Sequence, residues 1–450
     1  MIDFSIFNNI PIFYISPDIK RALGLELVLP NYYIVCSFYN PLVDMVRKRG
    51  GKVFCLEESE KDAVYQIKNS GQLLGHPKVL EFIQNKSKGQ TPGILAFKPN
   101  LKIDILCSQY GFKKLINSSE INEKFENKIN FFEITKKYFP DFHLKGTVGN
   151  LGDLNFKVME KELSLPFVVQ FGHGWAGKTT FFIKNELDWE NLKEKFPQTL
   201  VKVTKYLNNS FTILNNCCIY KESVLVGPPA IQLSGIPELS ENKFITCGRQ
   251  WPAIDLSKED ENIINSVSEK VGLLMAKEGY RGFFGLDFLI DKNTGKIFLS
   301  ENNARFTAST PFYTKLELGM QSIPLMIYHL ASFFSLHIDI SYNPHIVGSQ
   351  IIVRKTSDTQ HMLLNDLKTG KYKLNESNLE FLGEEYDPGE LNQNEFIIIK
   401  EKENKKVQEN EEIARIETKN SVLNKNYELK NDIKKLLAAN EQSGKELSNQ

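Results

Sequence analysis

Four polar residues past the middle of the chain carry the clearest chemical signal. Asp287 lies in an apolar run that ends in the turn-forming segment 292–295. A second apolar run follows the turn and leads to Glu301, Asn303 and Arg305. The turn predicts an antiparallel hairpin, in which residues two apart share one face of a strand. We therefore expect Asp287 to lie beside Glu301 and Asn303 near the open end of that hairpin.

These side-chain types suit the handling of phosphate groups. Two carboxylates and an amide carbonyl are hard oxygen ligands, which Mg²⁺ prefers when it bridges protein and nucleotide phosphates. Arg305 adds a cation that can pair with a phosphate or a substrate carboxylate. The simpler interpretation is a solvated hairpin with a surface ion pair. Two opposed acids beside an Asn-x-Arg sequence favour the metal site.

A glycine-rich segment, residues 172–179, fits the Walker A pattern and follows a strand-like apolar run. A P-loop nucleotide hydrolase or kinase is therefore one hypothesis. That motif requires a helix at its Lys-Thr pair, because loop amides and helix N-terminus hold the phosphates together. Residues 180–183 are instead β-branched and aromatic, which favours a strand. We expect a flap between two strands, whose N–H groups and Lys178 contact phosphates, while a structural glycine turn is a third interpretation.

The elements that must position these residues fall into several units. The 450-residue chain is too long for one core and suits two or three domains. Residues 1–120 alternate apolar runs with amphipathic stretches, which predicts a parallel α/β domain. Residues 121–335 hold both motifs, with a flap subdomain at about 150–203. Residues 336–420 are predicted as a small C-terminal β domain. Residues 421–450 are predicted as a helical and polar tail, solvated and partly disordered. The predicted fold class is thus α/β and α+β.

The composition excludes several classes of protein. The 55 basic residues equal the 55 acidic ones, which argues against a nucleic-acid-binding surface. No run approaches the roughly 20 apolar residues of a membrane helix, and the first residues lack a signal-peptide pattern. The six cysteines and seven histidines show neither a disulfide framework nor zinc-site spacing. We therefore expect a cytoplasmic enzyme without nucleic-acid or membrane partners, for which a homodimer is one option.

The two strands of the predicted hairpin also carry a family resemblance. Gly-Leu-Asp-Phe-Leu-Ile-Asp and Glu-Asn-Asn-Ala-Arg closely resemble the metal-binding signature of the ATP-grasp superfamily. The resemblance covers roughly residues 1–330 and is most specific at this hairpin. It implies that Asp287, Glu301 and Asn303 bind two Mg²⁺ ions, with Mn²⁺ as an alternative, bridged by ATP phosphates. It further implies that Arg305 lies near the reacting phosphoryl group or carboxylate.

Other parts of the family pattern occur in the same order along the chain. Lys128 opens a helical run and resembles the first phosphate-binding lysine, and residues 203–207 resemble the hinge strand that reads the adenine edge. The ATP-binding residues that the resemblance implies are Lys128, Gln170, Gly172, Gly174, Gly177, Lys178, Thr179, Thr204, Lys205, Tyr206, Leu207 and Ser210. The catalytic residues that it implies are Arg305, Lys178 and Arg249, the last as a charged substrate contact.

Two positions depart from the family pattern. The flap strand has Gln170 in place of a phosphate-binding lysine, and Lys178 can supply the missing charge. The hinge has Asn208-Asn209-Ser210 where the family offers an acid to the ribose.

The chain resembles most the peptide-ligase-like members, so we expect a carboxylate–amine ligase that uses ATP and Mg²⁺. It would join a small carboxylate to an amine, such as an amino acid or peptide, through an acyl phosphate, with release of ADP and phosphate. The departure at Gln170 leaves a third hypothesis, a non-catalytic nucleotide-binding regulator on the same fold.

Overall fold

The computed structural model describes residues 3–61, 63–174, 179–242, 244–355, 367–375, 378–401 and 410–437. It contains an N-terminal α/β unit, a lid, and one large antiparallel sheet that includes the C-terminal strands. The predicted α/β and α+β fold class is confirmed. In this described part of the chain, no helix is both long and apolar enough to cross a membrane.

The N-terminal unit is built on a five-stranded parallel sheet with the order β3-β2-β1-β4-β5. Its strands are β1 Ile12–Ile15, β2 Tyr32–Cys36, β3 Lys52–Cys55, β4 Gly93–Ala96 and β5 Lys113–Lys114. The accompanying helices are α1 Leu42–Lys48, α2 Leu56–Ser59, α3 Ser70–Leu74, α4 Pro77–Ser87 and α5 Leu101–Tyr110. Strand order reverses between β1 and β4, and in open parallel sheets ligands bind at the carboxyl ends beside such a reversal.

Two short helices lead from this unit into the lid. They are α6 Ser119–Glu126 and α7 Lys128–Tyr138. The lid has a four-stranded antiparallel sheet with the order β6-β9-β7-β8. Its elements are β6 Gly146–Asn150, α8 Phe156–Leu163, β7 Phe167–Phe171, β8 Thr180–Ile183, α9 Glu186–Lys195 and β9 Leu200–Lys205. The lid has its own apolar core around Trp189.

The large sheet has eleven strands with the order β15-β14-β10-β12-β13-β16-β20-β19-β17-β18, and β11 pairs with β10. Its first six strands are β10 Ser210–Tyr220, β11 Ser223–Val226, β12 Ala230–Ser234, β13 Thr246–Trp251, β14 Gly282–Asp291 and β15 Ile297–Asn303. The last five are β16 Gly348–Arg354, β17 Gly370–Asn375, β18 Asn378–Gly383, β19 Glu395–Lys400 and β20 Glu412–Thr418. The helices are α10 Lys258–Lys277, α11 Thr310–Gly319 and α12 Leu325–Phe334.

The two faces of the large sheet differ in character. Residues paired directly across neighbouring antiparallel strands point to the same face. Leu214 of β10 pairs with Asp287 of β14 on one side and with Ala230 of β12 on the other. Two residues after Ala230 on β12, Gln232 pairs with Arg249 of β13. Asp287 and Arg249 therefore lie on one face, whereas the opposite face is apolar and packs against α10.

The end of the described chain differs from the expected solvated tail. Val422, Leu423, Leu429, Ile433 and Leu436 are all buried in the core on the α10 side of the sheet. The side-chain oxygen of Gln250 accepts hydrogen bonds from the backbone N–H groups of Val422 and Leu423, at 2.8 and 2.9 Å. The expectation was wrong for residues 421–437, because well-spaced apolar residues among polar ones are enough to dock a segment onto an existing core.

Candidate functional site

The predicted metal ligands lie together on the hairpin of β14 and β15. Asp287 is the direct strand partner of Glu301, and the pairing is irregular just after Asp287. The side-chain amide of Asn303 donates a hydrogen bond to Asp287 Oδ1 at 3.3 Å. The structure therefore brings two carboxylates and an amide to one edge of the large sheet. The turn predicted the hairpin, and the irregularity places Glu301 rather than Ser300 opposite Asp287.

The two carboxylates differ in their electrostatic surroundings. Burial, and then the negative charge of Glu301, raise the pKa of Asp287 to about 7. Burial acts on Glu301 in the same direction, but its ion pair with Lys128 outweighs burial and lowers its pKa. The charges of Lys128 and Lys202 both favour ionised Glu301, and a further positive charge beside Asp287 would favour the ionised form of both acids.

The N-terminus of α7 joins the carboxylate hairpin to the lid. Asn127 caps this helix by accepting hydrogen bonds from the N–H groups of Ile129 and Asn130. Lys128, the first residue of the helix, forms its ion pair with Glu301. The backbone N–H of Lys128 donates to the carbonyl oxygen of Gly172 at 3.0 Å. The lid loop is therefore held directly over the predicted phosphate-binding lysine.

The glycine segment lies between two strands that pair with each other. Gln170 pairs with Thr180 across antiparallel strands β7 and β8, and the segment Thr180–Ile183 is a strand. This geometry confirms the predicted hairpin and excludes the Walker A arrangement, which requires a helix there.

Two glycines of this loop are required by close approach. A Cβ atom on Gly172 would lie 2.8 Å from the Asn127 side chain, and one on Gly174 would lie 1.5 Å from Thr179 Oγ1. Gly172 therefore permits docking on α7, and Gly174 permits closure of the hairpin. Gly177 and Lys178 lie outside the described residues.

A buried lysine that the sequence analysis did not single out lies on the lid. Lys202 is 6% exposed and is the direct partner of Gln170 across β9 and β7, so both side chains share one face. Burial, and then the charge of Lys128, lower the pKa of Lys202 to about 7. Among the residues that the structure describes, no carboxylate forms an ion pair with Lys202 within 4.0 Å. The ammonium group of Lys202 therefore lies beside Gln170, the position at which the family pattern has a phosphate-binding lysine.

Arg305 is fixed in the site by three hydrogen bonds. Its guanidinium donates to Glu126 Oε1 at 2.9 Å, to Asn303 Oδ1 at 3.0 Å and to the carbonyl oxygen of Phe306 at 3.0 Å. Although burial alone would raise the pKa of Glu126, the charges of Arg305 and Lys98 lower it to about 2. Glu126, which no sequence motif marks, positions Arg305 beside the predicted metal ligands.

The predicted hinge joins the lid to the large sheet. Thr204 is buried and Lys205 exposed at the end of β9, and Ser210 Oγ donates to the carbonyl oxygen of Leu207 at 3.1 Å. The ring of Tyr206 lies 5.5 Å from the ring of Phe182 of the lid. The Phe182 ring stacks at 3.6 Å on Phe244 of the main body. This segment therefore lies at an aromatic junction between the two parts.

Arg249 shares a sheet face with Asp287 and forms no hydrogen bond or ion pair with the predicted metal ligands. It is 3% exposed, and its Nε and Nη1 atoms have no hydrogen-bond partner. Burial, and then the positive charge of Arg415, lower its pKa to about 9. Arg249 therefore lies on the same face as Asp287, close enough for the Asp287 charge to act on it, but without a hydrogen bond to the predicted metal ligands.

Solved structures share this architecture over most of the chain. A biotin carboxylase of Campylobacter jejuni has a TM-score of 0.60 at 14% identity, over 90% of this chain and 86% of that one. The biotin carboxylase domain of Hydrogenobacter thermophilus 2-oxoglutarate carboxylase, in complex with MgADP and bicarbonate, has a TM-score of 0.59 at 14% identity, over 90% and 85%. An N5-carboxyaminoimidazole synthase of Aspergillus clavatus, in complex with ADP and an aminoimidazole ribonucleotide, gives 0.58 at 12% identity, over 97% and 100%.

These likenesses establish the fold. Protein-family models and curated protein sequences give no match to the chain.

Proposed function

From the ATP-grasp fold that the chain shares with these enzymes, we propose an ATP-dependent ligase that phosphorylates a small carboxylate and joins it to an amine. One observation carries the proposal: the opposed pair Asp287 and Glu301 lies with the buried cations Lys128 and Lys202 at the junction of sheet, helix and lid. A nucleotide polyphosphate with a divalent cation has the complementary charges. The carboxylates suit the metal, and the ammonium groups suit the phosphates.

The residues present fit a magnesium ion. Asp287 is held partly protonated near neutral pH because burial and its neighbour Glu301 disfavour its charge, and a divalent cation would offset both effects. Asp287, Glu301 and Asn303 would hold the ion. When bound, it would neutralise charge on the phosphoryl group that is transferred.

The remaining residues position the reactants. Lys128 and Lys202 would contact ATP phosphates from the helix and from the lid. Arg305, oriented by Glu126, would hold the substrate carboxylate for attack of its oxygen on the γ-phosphorus, with ADP as leaving group. The amine would then attack the acyl carbon and displace phosphate. These steps need positioning and charge neutralisation rather than a side-chain nucleophile.

We favour bicarbonate as the first acid to test. The Hydrogenobacter thermophilus structure contains bicarbonate, and the Aspergillus clavatus structure contains a ribonucleotide that bears an amine. An amino acid or peptide as the second substrate, which the sequence analysis expected, has no such counterpart among these structures.

The regulator hypothesis rested on Gln170, which cannot supply the charge of a lysine. Lys202 lies directly opposite Gln170 on the neighbouring strand, so the lid does present a cation there. This observation favours an enzyme over a non-catalytic nucleotide-binding protein.

The test is ADP release by the full-length chain in Mg-ATP. Bicarbonate and small carboxylic acids would be screened singly and with amines, including phosphorylated ones. We expect release that requires an acid and is increased by an amine. Glu301→Gln should reduce turnover by at least a factor on the order of 100 while its thermal unfolding stays cooperative. Glu259→Gln, at an exposed acid on α10, is the matched control and should leave turnover unchanged.

Two outcomes would contradict the proposal. Tight ATP binding without turnover in every combination would favour the regulator. Turnover that Glu301→Gln leaves intact would remove the carboxylate hairpin from the reaction.

A further inference from the structure

Two cysteines of the N-terminal unit lie side by side. Cys36 ends β2 and Cys55 ends β3, and the two residues are direct partners in the parallel pairing of these strands. Direct partners on neighbouring parallel strands point to the same face of a sheet. Such strands lie about 4.8 Å apart, and a disulfide joins Cα atoms about 4.4–6.8 Å apart. A bridge between Cys36 and Cys55 therefore needs little movement of the backbone.

The two thiols are both buried but differ in their surroundings. A hydrogen bond between them raises the pKa of Cys36 well above its usual range and lowers the pKa of Cys55. The backbone N–H groups of Glu58 and Glu57 also lower the pKa of Cys55, whereas burial acts against them. In its neutral form the Cys55 thiol donates to the carbonyl oxygen of Ser37 at 3.8 Å. Cys55 is therefore the first of the pair to ionise, while Cys36 keeps its proton beside it.

The other four cysteines have different surroundings. All are buried, and burial raises the pKa of each of them: Cys107, Cys217, Cys218 and Cys247. Cys217 and Cys218 are consecutive in β10, so their side chains point to opposite faces of the sheet. The thiolate rather than the thiol reacts with oxidants, so the sulfur that is easiest to ionise is the one that reacts. Cys55 is that sulfur, and its strand partner carries a second thiol.

The segments that follow the two cysteines are tied to each other and to the large sheet. The Glu57 carboxylate, two residues after Cys55, accepts a hydrogen bond from the Tyr39 N–H at 2.7 Å. The side-chain amide of Asn40 donates to the carbonyl oxygen of Lys400, the last residue of β19, at 3.1 Å. A bridge at the ends of β2 and β3 would therefore hold the loop that docks the N-terminal unit on the large sheet.

We propose that Cys36 and Cys55 form a redox modification site, at which a hydroperoxide such as hydrogen peroxide converts the paired thiols into an intramolecular disulfide. The oxidant is a small molecule from outside the protein. Neither thiol has a part in the proposed ligase reaction, so this inference does not depend on it.

The chemistry takes place in two steps. The Cys55 thiolate attacks one peroxide oxygen, the O–O bond breaks, and a sulfenic acid forms; the hydroxide that leaves takes up the proton lost by Cys55 and becomes water. The Cys36 sulfur then attacks the Cys55 sulfur, and the S–O bond breaks. The departing hydroxide takes the Cys36 proton and forms a second water. The two thiols together lose two electrons, and one peroxide gains them.

The experiment treats the native full-length chain with hydrogen peroxide and blocks the remaining thiols with N-ethylmaleimide in denaturant. Disulfides are then mapped by tryptic digestion and mass spectrometry without reduction. Cleavage after Arg47 and Lys52 places the two cysteines in different peptides, so the bridge appears as one cross-linked species. For the wild type we expect the bridge between Cys36 and Cys55 to account for most of the disulfide, and dithiothreitol to reverse it. The same treatment in urea should give several pairings.

Three variants separate the two roles. Cys36→Ala should stop the reaction at the Cys55 sulfenic acid and raise its labelling by dimedone over the wild type by a factor on the order of ten. Cys55→Ala should leave Cys36 reduced, because the reactive thiolate is missing. Cys107→Ala, at a buried cysteine of α5 in the same unit, is the matched control and should leave the bridge unchanged.

Either of two results with the wild-type chain would overturn the proposal. The first is that Cys36 stays a free thiol after the treatment, whether Cys55 remains reduced or becomes a sulfinic acid. The second is a mixture of pairings equal to the one found in urea, which would show that the native geometry does not select this pair. Both results come from the wild-type chain, so they decide the question even if a cysteine variant fails to fold.

Discussion

Replacement of Lys202 by methionine should stabilise the nucleotide-free protein and abolish its tight binding of ATP. Lys202 is 6% exposed, has no acid partner among the described residues, and lies beside Gln170 on the inner face of the lid. Methionine has a similar length and carries no charge. The substitution therefore removes the charge and keeps most of the packing.

The size of the effect follows from the pKa of Lys202, which burial and the charge of Lys128 lower from 10.5 to about 7. Each pKa unit is worth about 1.4 kcal/mol, so the charged form destabilises the folded state by about 5 kcal/mol. Below pH 7 the full destabilisation applies. Between pH 7 and 10.5 the unfolded chain binds the proton and the folded chain does not, so wild-type stability rises with pH.

Urea unfolding at pH 6 and at pH 9 measures this difference. We expect Lys202→Met to exceed the wild type in unfolding free energy by about 5 kcal/mol at pH 6 and by about 2 kcal/mol at pH 9. Lys161→Met, at an exposed lysine of the same lid, is the control and should show no such pH dependence. An advantage of equal size at both pH values, or a loss of stability at pH 6, would show that the folded state does not disfavour the charge of Lys202.

Two further substitutions test the site. Lys202→Gln should weaken ATP binding at least tenfold, as measured by calorimetry. Adding Gln170→Lys should restore most of the affinity, because the two positions share one face of the lid. A double variant that binds ATP as weakly as Lys202→Gln would show that the charge is needed on β9 itself. Asp287→Asn should raise the unfolding free energy above pH 7 and leave it unchanged below about pH 4. Burial and Glu301 raise the pKa of Asp287 from 3.8 to about 7, so its charge is disfavoured only in the folded state. Denaturation curves of the wild type and the variant that coincide at pH 8 would contradict this.

The carboxylate hairpin could be predicted from the sequence because its geometry is local. A turn of four residues separates the two apolar runs, and strict alternation then decides which side chains share a face. These two facts predict the hairpin but not the pairing of Asp287 with Glu301, because regular pairing would place Ser300 opposite Asp287, and only the irregularity after Asp287 brings Glu301 to its face. The flap hairpin was predictable for the same reason, since the β-branched and aromatic residues after the loop exclude a helix there.

Lys202 and Glu126 could not be found this way, because their roles depend on contacts between distant segments. Lys202 follows the usual alternation of a strand, and only the pairing of β9 with β7 places it beside Gln170. Glu126 ends α6 without a motif, and only its contact with Arg305, which follows the carboxylate hairpin, brings it into the site. The composition of a single segment contains no signal for either contact.

The charges of the site are arranged so that no single ligand compensates all of them. A divalent cation alone would offset the repulsion between Asp287 and Glu301, but it would add to the unfavourable charge on Lys202. A free nucleotide alone would pair with the lysines and be repelled by the two carboxylates. Only the metal–nucleotide complex satisfies both groups. The arrangement therefore favours a site that is complete only when the metal and the nucleotide are bound together, which is the condition under which transfer of the phosphoryl group is productive.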